Sequence, residues 1–259
     1  MHVHLEDYSE GNSPLHRLDA RIKVICAFVA VFCIILLGHW ELALLFFATC
    51  LGIVFYSKAS MKVYLKRLFY PISIIVFVSV IQPFTYGSTI VATVPGLMLP
   101  IYQQGIFFGI LIFARCLAAV AVLNLLILVT PITTVMDSLA WFRVPSVIID
   151  TMMLMFRYIS VLSEESTRMY RAQESRCGHS HSVSTLKKIR NFGNIAGALI
   201  IRSFDRAVKV GNAMASRGYT GKYTLFTYQK RQLPTQDLLV GLLAVFASVG
   251  LVIVDVCFL

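Results

Sequence analysis

Uncharged runs alternate with short polar breaks along the first half of the chain. Val24 to Trp40 carries no charge apart from a proton on His39, and Leu42 to Ser57 is uncharged after the lone acid Glu41. Each run approaches the roughly 20 residues that cross a hydrocarbon core of about 30 Å. Together they predict a helical hairpin turning at Gly38-His39-Trp40-Glu41, with Trp40 at interfacial depth. Leu68 to Ala114 is uncharged for 47 residues, long enough for two spans and a link. Pro83, Gly87, Pro95, Gly96 and Pro100 cluster in its middle and predict helices over about 68–86 and 105–129, around an uncharged loop or re-entrant segment. Leu238 to Val254 gives one more spanning run. The pattern predicts an all-α, polytopic membrane protein with about five transmembrane helices. A cleavable signal peptide fits poorly, because the first run starts late and follows an acidic leader (Glu6, Asp7, Glu10, Asp19).

After Pro131 the pattern changes, which divides the chain into 1–130 (leader and four spans), 131–235 (interfacial and cytoplasmic helices) and 236–259 (the last span). Residues 147–162 are apolar enough to suggest a sixth span, but a span there would place Glu164–Arg231 outside, against the positive-inside rule. They read instead as a helix in or under the interface, entered through Arg143 and Pro145, with Asp150 and Arg157 on its wetter side. Lys58, Lys62, Lys66 and Arg67 form a basic loop without an acid, which sets that loop and the N-terminus on the cytoplasmic side.

Composition sharpens this. The chain of 259 residues is 58% hydrophobic and 14% charged, too apolar for a soluble enzyme and for a disordered chain. Its net charge of +10 is the odd number, and Glu164–Arg231 holds +9 of it, with 13 Lys or Arg against 4 Asp or Glu. Compared with itself at a shift of 41 residues, this segment repeats: Glu164 falls on Asp205, Arg168 on Lys209, Ala172 on Ala213, Ser175 on Ser216 and Arg176 on Arg217. The acid-to-base spacing predicts i,i+4 helix pairs, and Gly178 and Gly218 predict helix stops. The bland reading of each arginine is complementation of a helix C-terminus. Two in one Ala-x-x-Ser-Arg frame argue for more, since a guanidinium at a helix tip can enter an acidic groove with forked hydrogen bonds.

At these residues the chain resembles the CbiQ-type transmembrane component of energy-coupling factor (ECF) transporters, in the cobalt group. The likeness rests on the leader Ser13-Pro14-Leu15-His16-Arg17-Leu18-Asp19-Ala20-Arg21-Ile22-Lys23, on Arg115, on Thr130-Pro131, Arg143-Val144-Pro145 and Phe156-Arg157-Tyr158. It is most specific at Arg171-Ala172-Gln173-Glu174-Ser175-Arg176 and Ala213-Met214-Ala215-Ser216-Arg217-Gly218-Tyr219. The family usually has proline where this chain has Ala20, and Arg-Gly where it reads Arg176-Cys177-Gly178. The resemblance implies a cobalt importer of the bacterial cytoplasmic membrane, with nickel or a vitamin as alternative substrates. Its implied partners are a pair of ABC-type ATPases, a membrane substrate-binding subunit and a small accessory membrane subunit. Ala172, Ser175, Arg176, Cys177, Ala213, Ser216, Arg217 and Gly218 would make the ATPase contacts; ATP and magnesium would bind the ATPases, and no cofactor this chain. The residues agree with a non-catalytic role, since G-x-x-x-x-G-K-[ST], H-E-x-x-H and G-x-S-x-G are all missing from the sequence.

Other groups carry weaker signals. Arg115, the fixed charge within an apolar span, suits either a structural role, bonding the Pro95–Pro100 loop or a carboxylate, or a contact with the substrate subunit. His2, His4, Cys177, His179 and His181 fall short of a convergent metal set, so no metal site is assigned. Met152, Met153 and Met155 suit adaptable packing, and Lys187, Lys188 and Arg190 suit anionic lipid headgroups. No nucleic-acid motif accompanies the basic helices. A membrane enzyme using Arg115, Asp137 and His39 is a poor rival because these groups sit at different predicted depths. A stand-alone secondary transporter would favour inverted membrane repeats, whereas the repeat found here is cytoplasmic.

Overall fold

The computed structural model describes residues 18–57, 61–93, 100–142, 144–178, 184–221 and 235–257. Within them are eight helices: α1 (Ala20–Leu36), α2 (Trp40–Tyr56), α3 (Met61–Thr85), α4 (Gln103–Val129), α5 (Ile132–Trp141), α6 (Ser146–Glu174), α7 (Thr185–Ser216) and α8 (Thr235–Cys257). The described parts fall into two compact units, one holding α1–α4, α8 and α5 as far as Ser138, the other holding α6 and α7. Helices α3, α4, α6 and α8 are long and apolar enough to cross a membrane, and α2 is a shorter apolar helix. Two consecutive helices form where the hairpin was predicted, but each packs on α4 and not on the other, and the turn is earlier than expected: Trp40 and Glu41 open α2, leaving Leu37 to His39 as the link. Lys62, Lys66 and Arg67 also belong to helix, in the first turns of α3, where a loop was expected. The link after α3 contains a short antiparallel ladder, β1 (Ile90–Thr93) with β2 (Pro100–Tyr102), which the uncharged pattern did not predict.

In the membrane unit, the core is built where α4 meets α1, α2 and α3. Ala114, Ala118 and Ala121 keep α4 slim, and Ile34, Phe46, Val54, Tyr64 and Leu68 pack into the same cluster. Tyr64 is fully buried and donates its hydroxyl to the Ala121 carbonyl at 3.1 Å. Helices α3 and α4 come close at Gly105-x-x-x-Gly109, the small-residue spacing that lets membrane helices touch backbone to backbone. A Cβ at Gly105 would lie 2.5 Å from the Tyr86 carbonyl oxygen and 2.6 Å from that of Gln82. The outward faces are apolar instead of charged, with Phe28 78% and Phe77 68% exposed, as a lipid-facing surface requires.

Helix α8 runs beside α1 and is tied to it at both ends. Asp19 caps α1, accepting the Arg21 amide at 3.0 Å, and its own amide donates to Asp237 in the first turn of α8 at 3.0 Å. Ala20, standing where the family usually has proline, is the first residue of α1, the position at which proline fits a helix without losing a hydrogen bond. At the far end, Asp255 is 2% exposed and accepts the backbone amides of Gly38 and His39 as well as the His39 Nδ1 proton, at 2.6 Å. His39 offers α2 no side-chain cap, so a carboxylate from another helix takes the positive end of α2.

Candidate coupling site

The second unit is an antiparallel pair. Tyr170 on α6 stacks on Phe192 of α7 with centroids 5.8 Å apart, Glu165 meets Arg202 and Arg206, and Ser146 meets Gly221. The order reverses along the two helices, so their C-terminal ends lie at opposite ends of the pair. The expected interfacial helix and first arginine helix are one element: α6 runs unbroken for 29 residues, and α7 for 32. Between them a cleft of about 360 Å³ is lined by residues that include Leu154, Tyr158, Leu162, Val210 and Met214.

At the middle of the pair, Glu165 grips two arginines at once. Arg202 Nη1 donates to its Oε1 at 3.0 Å and Arg206 Nη2 to its Oε2 at 3.1 Å. The hydrogen bond from Arg202 comes first among the influences that hold the Glu165 carboxyl below its usual range. A carboxylate lowered in the folded state contributes stability above its ordinary pKa and loses it as the pH falls through the lowered one, so the clasp is closed at neutral pH. Of the two expected i,i+4 pairs, Glu164–Arg168 forms at 3.6 Å. Asp205 and Lys209 make no ion pair among the described residues, which corrects that half of the prediction.

Both arginine tips are built from the same turn. After α6, the Gly178 amide donates to the Gln173 carbonyl and the Cys177 amide to that of Glu174; after α7, Tyr219 donates to Met214 and Gly218 to Ala215. These are the paired bonds of a Schellman end, and they set Arg176 and Arg217 at the same C-cap position. The residue after each arginine takes a positive φ, 78° at Gly218 but 59° at Cys177. Gly178 was expected to stop α6, whereas the left-handed position is filled by Cys177. A side chain there is strained, so Cys177→Gly is expected to stabilise the unit by about 1 kcal/mol, read as a higher melting temperature.

Ala172, Ser175, Arg176 and Cys177, and Ala213, Ser216, Arg217 and Gly218, are all exposed. The two serines turn back on their own helices, Ser175 Oγ to the Ala172 carbonyl at 3.0 Å and Ser216 Oγ to that of Asn212 at 2.8 Å, which leaves the arginines as the outward chemistry. Pro145 precedes α6 and Arg157 is exposed, as expected, while Arg143 lies outside the described residues. Asp150 differs: expected on the wetter side, it is 2% exposed, because the Tyr219 hydroxyl donates to its Oδ2 at 2.8 Å. This contact pushes the Tyr219 hydroxyl pKa up. Arg115 stands in α4 with a buried Nε that has no hydrogen-bond partner among the described residues. His2, His4, His179 and His181 lie outside those residues, within which no group of three His, Cys, Asp or Glu could hold a metal ion.

A multi-pass membrane unit with an appended pair of arginine-tipped helices defines the class: a membrane transporter subunit that presents basic helix ends. The CbiQ family, described as cobalt transport protein, matches residues 11–228, and the chain belongs to it. It is similar to an uncharacterized protein of Methanocaldococcus jannaschii, 32% identical over 83% of this chain and 80% of the relative. It is also similar to the energy-coupling factor transporter transmembrane protein EcfT of Streptococcus equi, 28% identical over 92% and 93% of the two chains. The EcfT of Listeria innocua is 30% identical over 83% of each. The chain is therefore a transmembrane component of the ECF type, a non-catalytic transporter subunit.

Proposed function

We propose that α6 and α7 are the coupling helices through which a pair of ABC-type ATPases drives a membrane substrate-binding subunit, with cobalt ion as the substrate. The observation that carries this reading is the repeated tip: two arginines at the C-cap of one and the same turn, both exposed. Two equal tips suit two equal acceptors, as an ATPase pair provides. Each arginine is exposed at a helix end whose carbonyls attract a cation, and its forked donors suit an acidic groove. Nucleotide and magnesium belong to the ATPases, and this chain binds no cofactor of its own. The N-terminus and the arginine pair lie on the cytoplasmic side, with Lys62, Lys66 and Arg67 at the start of α3 as the positive-inside signal.

Cobalt is favoured by the family's description as cobalt transport protein. The test is reconstitution of the chain with its ATPases and substrate subunit in liposomes, using radiolabelled cobalt ion. ATP-dependent accumulation that vanishes when the ATPases are omitted is expected. Accumulation by this chain alone would overturn the coupling role, and uptake of nickel or a vitamin in place of cobalt would overturn the substrate.

A further inference from the structure

Each arginine tip is held from the opposite helix, and at the same place in its turn. The closing residue after Arg217 is Tyr219, whose amide completes the Schellman end and whose hydroxyl donates to Asp150, in the second turn of α6. Ser146, the first residue of α6, adds a second tie, donating its hydroxyl to the Gly221 carbonyl at 2.6 Å. The closing residue after Arg176 is Gly178, whose amide completes that turn and whose carbonyl accepts from Asn191 Nδ2, in the second turn of α7, at 2.9 Å. Gln173 Nε2 completes this brace by donating to the Asn191 carbonyl at 3.1 Å.

We propose that Asp150 and Asn191 are positioning residues for coupling, each fixing the direction of the arginine borne by the other helix. The inference rests on the coupling role of Arg176 and Arg217 proposed above. A free helix end frays, and an exposed arginine on it samples many directions. Tying the residue two places beyond each arginine to the start of the neighbouring helix removes that freedom without touching the arginine itself. The braces are crossed, so a push received at either tip is delivered to both helices. Their chemistry differs: a buried carboxylate accepts from a phenol at one end, and a carboxamide donates to a backbone carbonyl at the other. The charged bond is the stronger of the two.

The test uses the full chain in nanodiscs, alone and with its ATPases, carrying a spin label either on Cys177 or on Ser216→Cys in a Cys177→Ser chain, the remaining cysteines being alanine. Tyr219→Phe removes a single hydroxyl and Asn191→Ala a single carboxamide; both leave Asp150 in place and so avoid the folding risk of Asp150→Asn. Tyr219→Phe is expected to raise the mobile fraction at position 216 about tenfold and leave the label at 177 unchanged. Asn191→Ala is expected to loosen 177 by several-fold and leave 216 unchanged. With the ATPases bound, both variants should hydrolyse ATP but import less substrate per ATP. Equal loosening of both tips by either variant, or no change at either, would overturn the inference. Failure of the unaltered chain to retain ATPases would overturn the coupling role itself, while the tip-specific mobilities of the chain alone would still be read.

Discussion

Reversing both tip charges, with Arg176→Glu and Arg217→Glu in one chain, is expected to abolish retention of the ATPase pair and with it ATP-driven uptake. Each arginine in an acidic groove contributes roughly 1.5–3 kcal/mol through charge-assisted bonds, and a glutamate in its place adds repulsion. Two such losses correspond to more than a hundredfold in affinity. The fold should hardly notice. Both positions are exposed and at helix ends, so the cost to stability is confined to the helix-dipole contribution, about 0.3–1 kcal/mol for each. Arg→Lys at both sites keeps the charge but loses the planar fork and should give an intermediate loss. Co-purification of tagged ATPases, read beside the melting temperature of the chain, separates these outcomes. Normal ATPase retention in the double variant would remove the basis for the coupling role.

Asp255→Ala is expected to be the most damaging single substitution in the membrane unit. It strips the acceptor from the Gly38 and His39 amides and from His39 Nδ1 together, at a site where the carboxylate is 2% exposed. Gly38 and His39 are themselves exposed, so the cost is that of the lost bonds to a charged acceptor, about 1–1.5 kcal/mol each, and a total near 3–4 kcal/mol follows. For a chain of this size that is a fall in melting temperature of about 10 °C, measurable by intrinsic fluorescence in detergent. Asp255→Asn keeps one acceptor oxygen and should fall about half as far. An alanine variant that melts with the unaltered chain would mean that water, and not the carboxylate, satisfies the α2 start.

How much of this was legible in the sequence depended on the range of the interaction. Apolar runs located the membrane helices because a hydrocarbon environment imposes composition over a whole segment. The arginine repeat was legible because each tip is built from consecutive residues, and a local turn leaves a local signature. Asp150 was misplaced for the opposite reason. An acid within an apolar helix reads as water-facing, and the phenol that buries it lies 69 positions further on. The Asp255 contacts with Gly38 and His39 span more than 200 positions and leave no trace in periodicity. Gly105-x-x-x-Gly109 was available as a signal of close helix contact, but it was masked by the surrounding apolar run, in which glycine looks like filler.

An unbroken α6 has a mechanical consequence. At 1.5 Å per residue, the Glu165 clasp divides the 29-residue helix into arms of about 16 Å toward Arg176 and about 29 Å toward Ser146. A stiff rod turned about such a fulcrum moves its two ends in opposite directions and by unequal amounts. Each ångström of travel at the arginine end becomes nearly two at the proline-bounded end.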